Sequence, residues 1–319
     1  MRVFHGEAEV PADIGPTAVT IGKFDGVHAG HRAVISRLRA LAVEQSLTSV
    51  VVTFDRNPLE VLDPDRCPPS LVSSEQKCAL LADAGIDGTL ILAFDEDFAS
   101  LDAETFVTRI LVDALKAKVV LTGSDFRFGD HGAGDVDLLT RLGQRYGYEV
   151  VLVDDVGFRE DQRISSTHVR ELLAEGQVAR AARVLTRFPR VRGEVVHGAA
   201  RGRQLGFPTA NLAQSVEGLT PADGVYAGWL IDEGRWLPAA ISVGDNPTFT
   251  TLDTKQIEAH VLDEDLDLYG HIVEVVFAER LRDMLAYTGV EPLIAQIRED
   301  VERTRFVLRE YPNPDRVVF

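Results

Sequence analysis

Two histidines three residues apart, His28 and His31, close the run Ile21-Gly22-Lys23-Phe24-Asp25-Gly26-Val27-His28-Ala29-Gly30-His31. Imidazoles donate hydrogen bonds to phosphate oxygens and titrate near neutrality, so the first chemistry to consider is anion handling. An apolar, β-prone run from Ala18 to Ile21 enters this stretch, and a helical pattern from about Arg32 to Val43 leaves it. A strand that turns sharply into a helix presents unpaired backbone N–H groups, and these with the helix dipole favour an anion such as phosphate. Residues three apart share a helix face, so the spacing predicts both imidazoles on one polyanion. Gly30, lacking a side chain, is expected to let that anion approach the backbone. The alternative is an ordinary strand-to-helix turn with two surface histidines; the preceding Phe24-Asp25-Gly26 turn weighs against it.

Three further stretches carry chemistry. Ser165-Ser166-Thr167 with Arg170 opens a helical pattern running to about Glu175. The hydroxyls are N-caps on the plain reading, or, with Arg170 on the same turns, an anion-facing surface. Gly198 to Asn211 combines glycines with Arg201 and Arg203, and ends in Phe207-Pro208-Thr209-Ala210-Asn211. Its glycines can open a nest of N–H groups, but the Gly-Lys-Ser/Thr ending of a Walker loop is absent. Thr209 and Asn211, two apart in an extended segment, point the same way, and their neutral oxygens suit a hydrated Mg2+ shared with phosphates. Glu258 alternates with apolar residues on a probable strand, Ile257 to Asp263. Facing solvent it has no role; facing a pocket beside Thr209 and Asn211 it is a general base for a hydroxyl.

Around these groups the chain has two grammars. Strand candidates Ala18–Ile21, Ser49–Phe54, Gly88–Ala93, Lys118–Leu121 and Glu149–Val153 alternate with helical patterns at Arg32–Val43, Ser74–Ala84, Ala103–Ala114 and Asp135–Tyr146. That alternation predicts an α/β domain with a parallel, doubly wound sheet, whose ligands sit at the carboxyl ends of the strands. Loops Asp55-Arg56-Asn57-Pro58 and Gly123 to Gly129 leave two such ends. A short helical run, Val178–Leu185, precedes Pro189. Beyond it, strand-like runs at Arg192–His197, Gly224–Ile231, Trp236–Val243, Gln256–Leu262 and His271–Ala278 lack intervening helices, and Glu291–Arg309 reads as a closing helix. These predict a small antiparallel β-barrel with a C-terminal helix. The division is placed at 1–186 and 187–319.

At 319 residues the chain is long enough for two domains. Its formal net charge of −17 argues against nucleic-acid binding and against an anionic membrane surface. No apolar run approaches membrane-spanning length. The two cysteines, Cys67 and Cys78, lack metal or disulfide spacing and suit a reducing cytoplasm. The sequence does not specify an oligomeric state.

In this order, the motifs resemble the bacterial bifunctional riboflavin kinase/FAD synthetase family across nearly the whole chain. The residues that carry the likeness are 21–31, Asp125-Phe126-Arg127-Phe128-Gly129, Ser165-Ser166-Thr167 with Arg170, Leu205–Asn211, Asn246-Pro247-Thr248-Phe249, Glu258 and Asp267-Leu268-Tyr269-Gly270. The resemblance implies a Rossmann-like nucleotidyltransferase domain that transfers AMP from ATP to FMN, and a kinase barrel that phosphorylates riboflavin. By that analogy Gly22, Phe24, Asp25, His28, Gly30 and His31 hold ATP, with Ser166, Thr167 and Arg170 opposite. Gly198, Arg203, Thr209 and Asn211 hold the ATP of the kinase, Thr209 and Asn211 with Mg2+, and Glu258 activates the riboflavin hydroxyl. Asp125, Phe126 and Phe128 in the first domain, and Asn246, Thr248 and Arg282 in the second, are the flavin-side residues. Three departures stand out. Arg56-Asn57 replaces a usual proline and histidine, Lys23 replaces a smaller or neutral residue, and Arg282-Asp283-Met284-Leu285-Ala286-Tyr287 lacks the basic residue common in that flavin-side loop. The departures leave room for a kinase with a retuned first domain; the rival of another class is a non-catalytic flavin or nucleotide sensor, which has no need of a base.

Overall fold

The computed structural model describes residues 1–153, 158–159, 162–198, 202, 205–245 and 255–316. Arg203, Asn246 and Thr248 lie outside them. Internal contacts divide the chain into two compact units, Met1–Ser165 and Ser166–Phe319.

The first unit is built on six parallel strands: β1 (Arg2–His5), β2 (Thr17–Ile21), β3 (Thr48–Phe54), β4 (Gly88–Leu92), β5 (Ala117–Gly123) and β6 (Glu149–Val153), in the order β1-β4-β3-β2-β5-β6. Its helices are α1 (Ala29–Glu44), α2 (Leu59–Leu62), α3 (Ser74–Asp83), α4 (Glu96–Ala99), α5 (Ala103–Phe106) and α6 (Val136–Tyr146). Alternate strand residues feed opposite faces. Ala18, Val51, Val119 and Leu121 pack with Ile35, Leu38 and Leu41 of α1 and Leu81 of α3. Val19, Ile21, Val50, Val52 and Val120 pack with Phe106, Ile110 and Leu139 on the other side. This period-two division of near-continuous apolar strands is what a doubly wound sheet requires. The helix expected over Ala103–Ala114 is α only to Phe106 and continues as a π-helix, Val107–Ala114. A short ribbon, β7 (Phe158–Arg159) with β8 (Gln162–Arg163), follows the sheet.

The second unit opens with α7 (Ser166–Ala174) and α8 (Val178–Leu185). Six antiparallel strands then close a barrel: β9 (Arg190–Val196), β10 (Ala210–Leu212), β11 (Gly224–Asp232), β12 (Arg235–Asp245), β13 (Lys255–Val261) and β14 (Ile272–Arg282), ordered β10-β13-β12-β11-β14-β9. The β11–β12 hairpin turns on Glu233 and Gly234, both left-handed (φ 48° and 82°), as a two-residue turn matched to strand twist demands. At Gly228 the register of β11 against β14 shifts, and a Cβ there would meet the Val276 carbonyl oxygen at 1.9 Å, so only glycine fits. The closing helix α9 (Val290–Leu308) packs beside Phe188, Trp229 and Val276 through Leu308.

Arg282, expected on the flavin side, is committed elsewhere. Its guanidinium binds Asp300 of α9, with Nε 3.0 Å from Oδ1 and an outer nitrogen 2.7 Å from Oδ2. The side chains are only 16% and 5% exposed. A buried, forked pair of this kind ties the last strand to the closing helix. Removing one partner leaves an uncompensated buried charge. Asp300→Ala is therefore expected to destabilise the barrel unit by about 3 kcal/mol, read as a lower urea midpoint of the intact chain.

Candidate functional site

In the first unit the carboxyl end of β2 passes into α1 through an unusually tight turn. Phe24, Gly26 and Val27 all have positive φ (49°, 78° and 40°), and Val27 is fully buried in that conformation. A β-branched residue adopts this region only when its surroundings impose it. The Gly22 N–H donates to the Val52 carbonyl at 3.0 Å, carrying the β2–β3 pairing into the turn.

His28 is not on the helix face but is the N-cap of α1, its Nδ1 accepting the His31 N–H at 3.4 Å. With Nδ1 as acceptor, the ring proton of neutral His28 resides on Nε2. The His28 and His31 rings stack, centroids 3.7 Å apart and 17° from parallel, with Phe24 tilted against His31 at 5.0 Å. The Nδ1 of His31 is sealed from solvent and has no hydrogen-bond partner among the described residues. Burial pushes the His31 imidazole well below its ordinary pKa, and the adjacent His28 adds to the shift. The expected shared helix face is thus replaced by a stacked pair at the helix start. Gly30 also differs from expectation: a Cβ there would meet the His28 ring at 3.3 Å and Ile164 at 3.5 Å. Its small size makes room for the His28 imidazole.

Leu71 and the N-terminal part of α3 brace this edge. Asp25 accepts the Leu71 N–H at 2.9 Å, Ser74 donates to the Asp55 carbonyl at 2.8 Å, and the buried Lys77 ammonium donates to the Phe54 carbonyl at 2.7 Å. Burial lowers the Lys77 pKa, partly opposed by Asp25 and Asp55. Arg56 is held by Asp55 through Nε (3.2 Å) and a terminal nitrogen (3.0 Å). Burial works to raise the Asp55 pKa, but the Arg56 bond and charge and the Phe94 N–H outweigh it and hold the carboxyl below its usual range. Asn57 is used locally: its side chain accepts the Leu59 N–H at 3.2 Å at the start of α2. Lys23 is exposed.

In the loop after β5, Asp125 is exposed and Phe126 half-buried, whereas Phe128 is buried against Phe106 and under Phe126. Gly134 lies against the Phe128 ring, where a Cβ would come within 2.7 Å. Phe128 is therefore core, and Phe126 is the ring with surface to offer. On α7, Ser166 and Thr167 begin the helix and Arg170 follows one turn later.

The barrel assembles the other group. Asn211 pairs with Glu258 across β10 and β13, and Glu258 pairs with Ser242 across β12, so their side chains share a face. The Thr209 hydroxyl lies 3.3 Å from Glu258 Oε2, and Asn211 Nδ2 lies 3.2 Å from that hydroxyl oxygen. Gln256 Nε2 closes the ring, 2.9 Å from Glu258 Oε1 and 3.0 Å from Asn211 Oδ1. Gly198 sits against the Asn211 amide so closely that a Cβ would come within 2.5 Å of it. The structure thus brings Thr209, Asn211, Glu258 and Gly198 together. Gln256 was missed, although the period-two rule that links Thr209 to Asn211 links Gln256 to Glu258 equally well. Lys77 was missed too: a lysine in a helical pattern carries no sequence signal of burial.

The chain thus pairs a parallel, doubly wound sheet carrying a stacked histidine pair at the carboxyl end of β2 with a closed barrel carrying a Thr209, Asn211, Gln256 and Glu258 cluster. Comparison with known proteins makes this specific. A family model for FAD synthetase matches residues 10–168, and one for riboflavin kinase matches residues 185–308. The bifunctional riboflavin kinase/FMN adenylyltransferase of Escherichia coli (strain K12) is 36% identical over 94% of this chain and 95% of its own. The Pseudomonas fluorescens protein of that name is 39% identical over 96% and 97%. A crystal structure of a Streptococcus pneumoniae protein named as a macrolide-efflux protein shares the fold at TM-score 0.80 and 30% identity, over 95% of this chain and 98% of that one. No helix among the described residues here is long and apolar enough to cross a membrane. The chain belongs to the bifunctional riboflavin kinase/FMN adenylyltransferase family.

Proposed function

We propose that the barrel phosphorylates riboflavin with ATP and that the sheet unit then joins the resulting FMN to AMP from a second ATP, releasing pyrophosphate. The single observation that supports the kinase step is the ring of Thr209, Asn211, Gln256 and Glu258. Riboflavin offers a neutral alcohol, a poor nucleophile, and a carboxylate within hydrogen-bond reach supplies the needed base. Glu258 takes the hydroxyl proton as the alcohol oxygen bonds to the γ-phosphorus of ATP, and the bond from that phosphorus to the β-phosphate oxygen breaks.

Mg2+ fits the donor set. Thr209 and Asn211 offer neutral oxygens, and the described residues contain no group of three acidic, histidine or cysteine side chains able to cage a metal alone. Mg2+ characteristically takes few protein ligands and completes its shell with water and phosphate oxygens. Thr209 and Asn211 would hold it, and bound there it would neutralise developing phosphate charge. Gly198 makes room for Asn211.

Adenylyl transfer sets different demands. The FMN phosphate is already an anion, so positioning and charge neutralisation carry the step and no protein base is required. His28 and His31 at the start of α1 are proposed phosphate donors; Ser166, Thr167 and Arg170 at the start of α7 are proposed nucleotide-binding residues. Asp125 and Phe126 are proposed to meet the flavin, Phe128 supporting them from the core. The functional division is proposed at 186/187, and the unpaired Cys67 and Cys78 suit a cytoplasmic enzyme. The test is to incubate the protein with riboflavin, ATP and Mg2+ and to resolve flavins by chromatography. FMN followed by FAD is expected; FMN alone would remove the adenylyltransferase role, and neither product would favour a sensor.

A further inference from the structure

The hydrogen-bond ring in the barrel has a direction, and one residue sets it. Glu258, as an ionised carboxylate, only accepts. Gln256 Nε2, 2.9 Å from Glu258 Oε1 and 3.0 Å from Asn211 Oδ1, must therefore spend both its hydrogens, one on each. Turning the Gln256 amide over would set its carbonyl oxygen against two acceptors. With Asn211 Oδ1 accepting from Gln256, Asn211 Nδ2 is the group that faces Thr209, 3.2 Å from its hydroxyl oxygen and 3.2 Å from its carbonyl oxygen. The Thr209 hydroxyl, which accepts from Asn211, then directs its own proton to Glu258 Oε2 at 3.3 Å. Every donor and acceptor in the ring is ordered from Gln256 outward. Two lone pairs are consequently left in fixed places, one on Asn211 Oδ1 and one on Thr209 Oγ1, since each of these oxygens has used one of its two.

We propose that Gln256 is a positioning residue for the phosphorylation step, holding Glu258 as an acceptor and turning the Asn211 carbonyl oxygen and the Thr209 hydroxyl oxygen into their working orientations. It acts through Glu258 and Asn211 rather than by touching the reacting atoms. The proposal rests on the kinase reading of the barrel. Its place two residues before Glu258 on β13, opposite Gly244 of β12, keeps its side chain on the same barrel face with no Cβ opposite it.

The test uses the full chain and follows FMN formation from riboflavin. Gln256→Leu, which keeps bulk and removes both donors, is expected to lower kcat by about 10- to 100-fold, the usual cost of losing a group that orients a ligand, while KM for riboflavin stays within about twofold. Paired with Glu258→Gln, whose residual rate is read in single turnover with enzyme in excess, Gln256→Leu is expected to add less than about a twofold loss, because residues acting as a unit are non-additive. Gln256→Glu keeps the length but presents acceptors to both partners; it serves as the second variant if Gln256→Leu fails to fold by urea melt, and is expected to lose kcat to a similar degree. A kcat within twofold of the parent in a folded variant, or a loss of equal factor in both backgrounds, overturns the proposal. A parent protein that makes no FMN overturns the kinase reading instead, so the two failures are told apart.

Discussion

Glu258→Gln is expected to lower riboflavin phosphorylation by about 10²- to 10⁴-fold, the range for loss of a positioned general base, while the conversion of supplied FMN to FAD stays within about twofold of the parent. The variant should fold. Gln256 Nε2 needs an acceptor at Oε1, which the new amide oxygen provides, and the new NH2 group then faces the Thr209 hydroxyl oxygen, which keeps one lone pair to receive it. What disappears is the capacity to take a proton. The two half-reactions are read separately by feeding riboflavin or FMN and resolving the products. Parallel loss of both activities in a folded variant would mean that Glu258 is not confined to the kinase step, and an unchanged kinase rate would return it to an ordinary barrel carboxylate.

The large design was legible because its signals are periodic and repeated. Strands β2 to β6 and the helices between them announce themselves as apolar runs separated by amphipathic ones, and the second-half strands as runs with no helix between. The elements missed are short. β1 has four residues with only Phe4 buried, and β10 has three; each exists because a neighbour, β4 or β13, supplies hydrogen bonds that no local pattern encodes. Site residues divided in the same way. Thr209, Asn211 and Glu258 converge across strands in a manner that alternation anticipates once the strands are known. The pairing of Arg282 with Asp300 has no signal in the sequence, because it depends on how the closing helix docks on β14. The enclosure of Phe128 by Phe106 and Gly134 is tertiary, so its burial is not written in the local sequence. Helix spacing sets His28 and His31 on one face, but His28 precedes the helix, and the cap geometry that follows puts the rings face to face.

That cap geometry makes His28→Asn the sharpest probe of the first unit. Asparagine is among the best N-cap residues, so it can accept the His31 N–H in place of His28 Nδ1 and keep the start of α1 intact, whereas alanine would forfeit about 1 kcal/mol of cap stability. What asparagine removes is the stacked ring and its Nε2 donor. FMN adenylylation is expected to fall by about 10²- to 10³-fold, as for loss of a preorganised donor to developing charge, with FMN formation from riboflavin within about twofold. The pH dependence follows from His31. Its pKa in the fold is held down, first by burial and then by His28, so the neutral ring is the folded form. Since the unfolded imidazole titrates near pH 6.5, the unfolded chain binds the extra proton first, and stability drops as pH falls below that value toward the folded pKa. With His31 as a proposed donor to ATP, the phosphates would favour the charged ring. Binding would then take up a proton, and KM for ATP in FMN adenylylation is expected to tighten as pH falls toward the lowered folded pKa of His31. An adenylylation rate unchanged in His28→Asn would reduce the turn at β2 to a structural device and move the burden of phosphate binding to Ser166, Thr167 and Arg170.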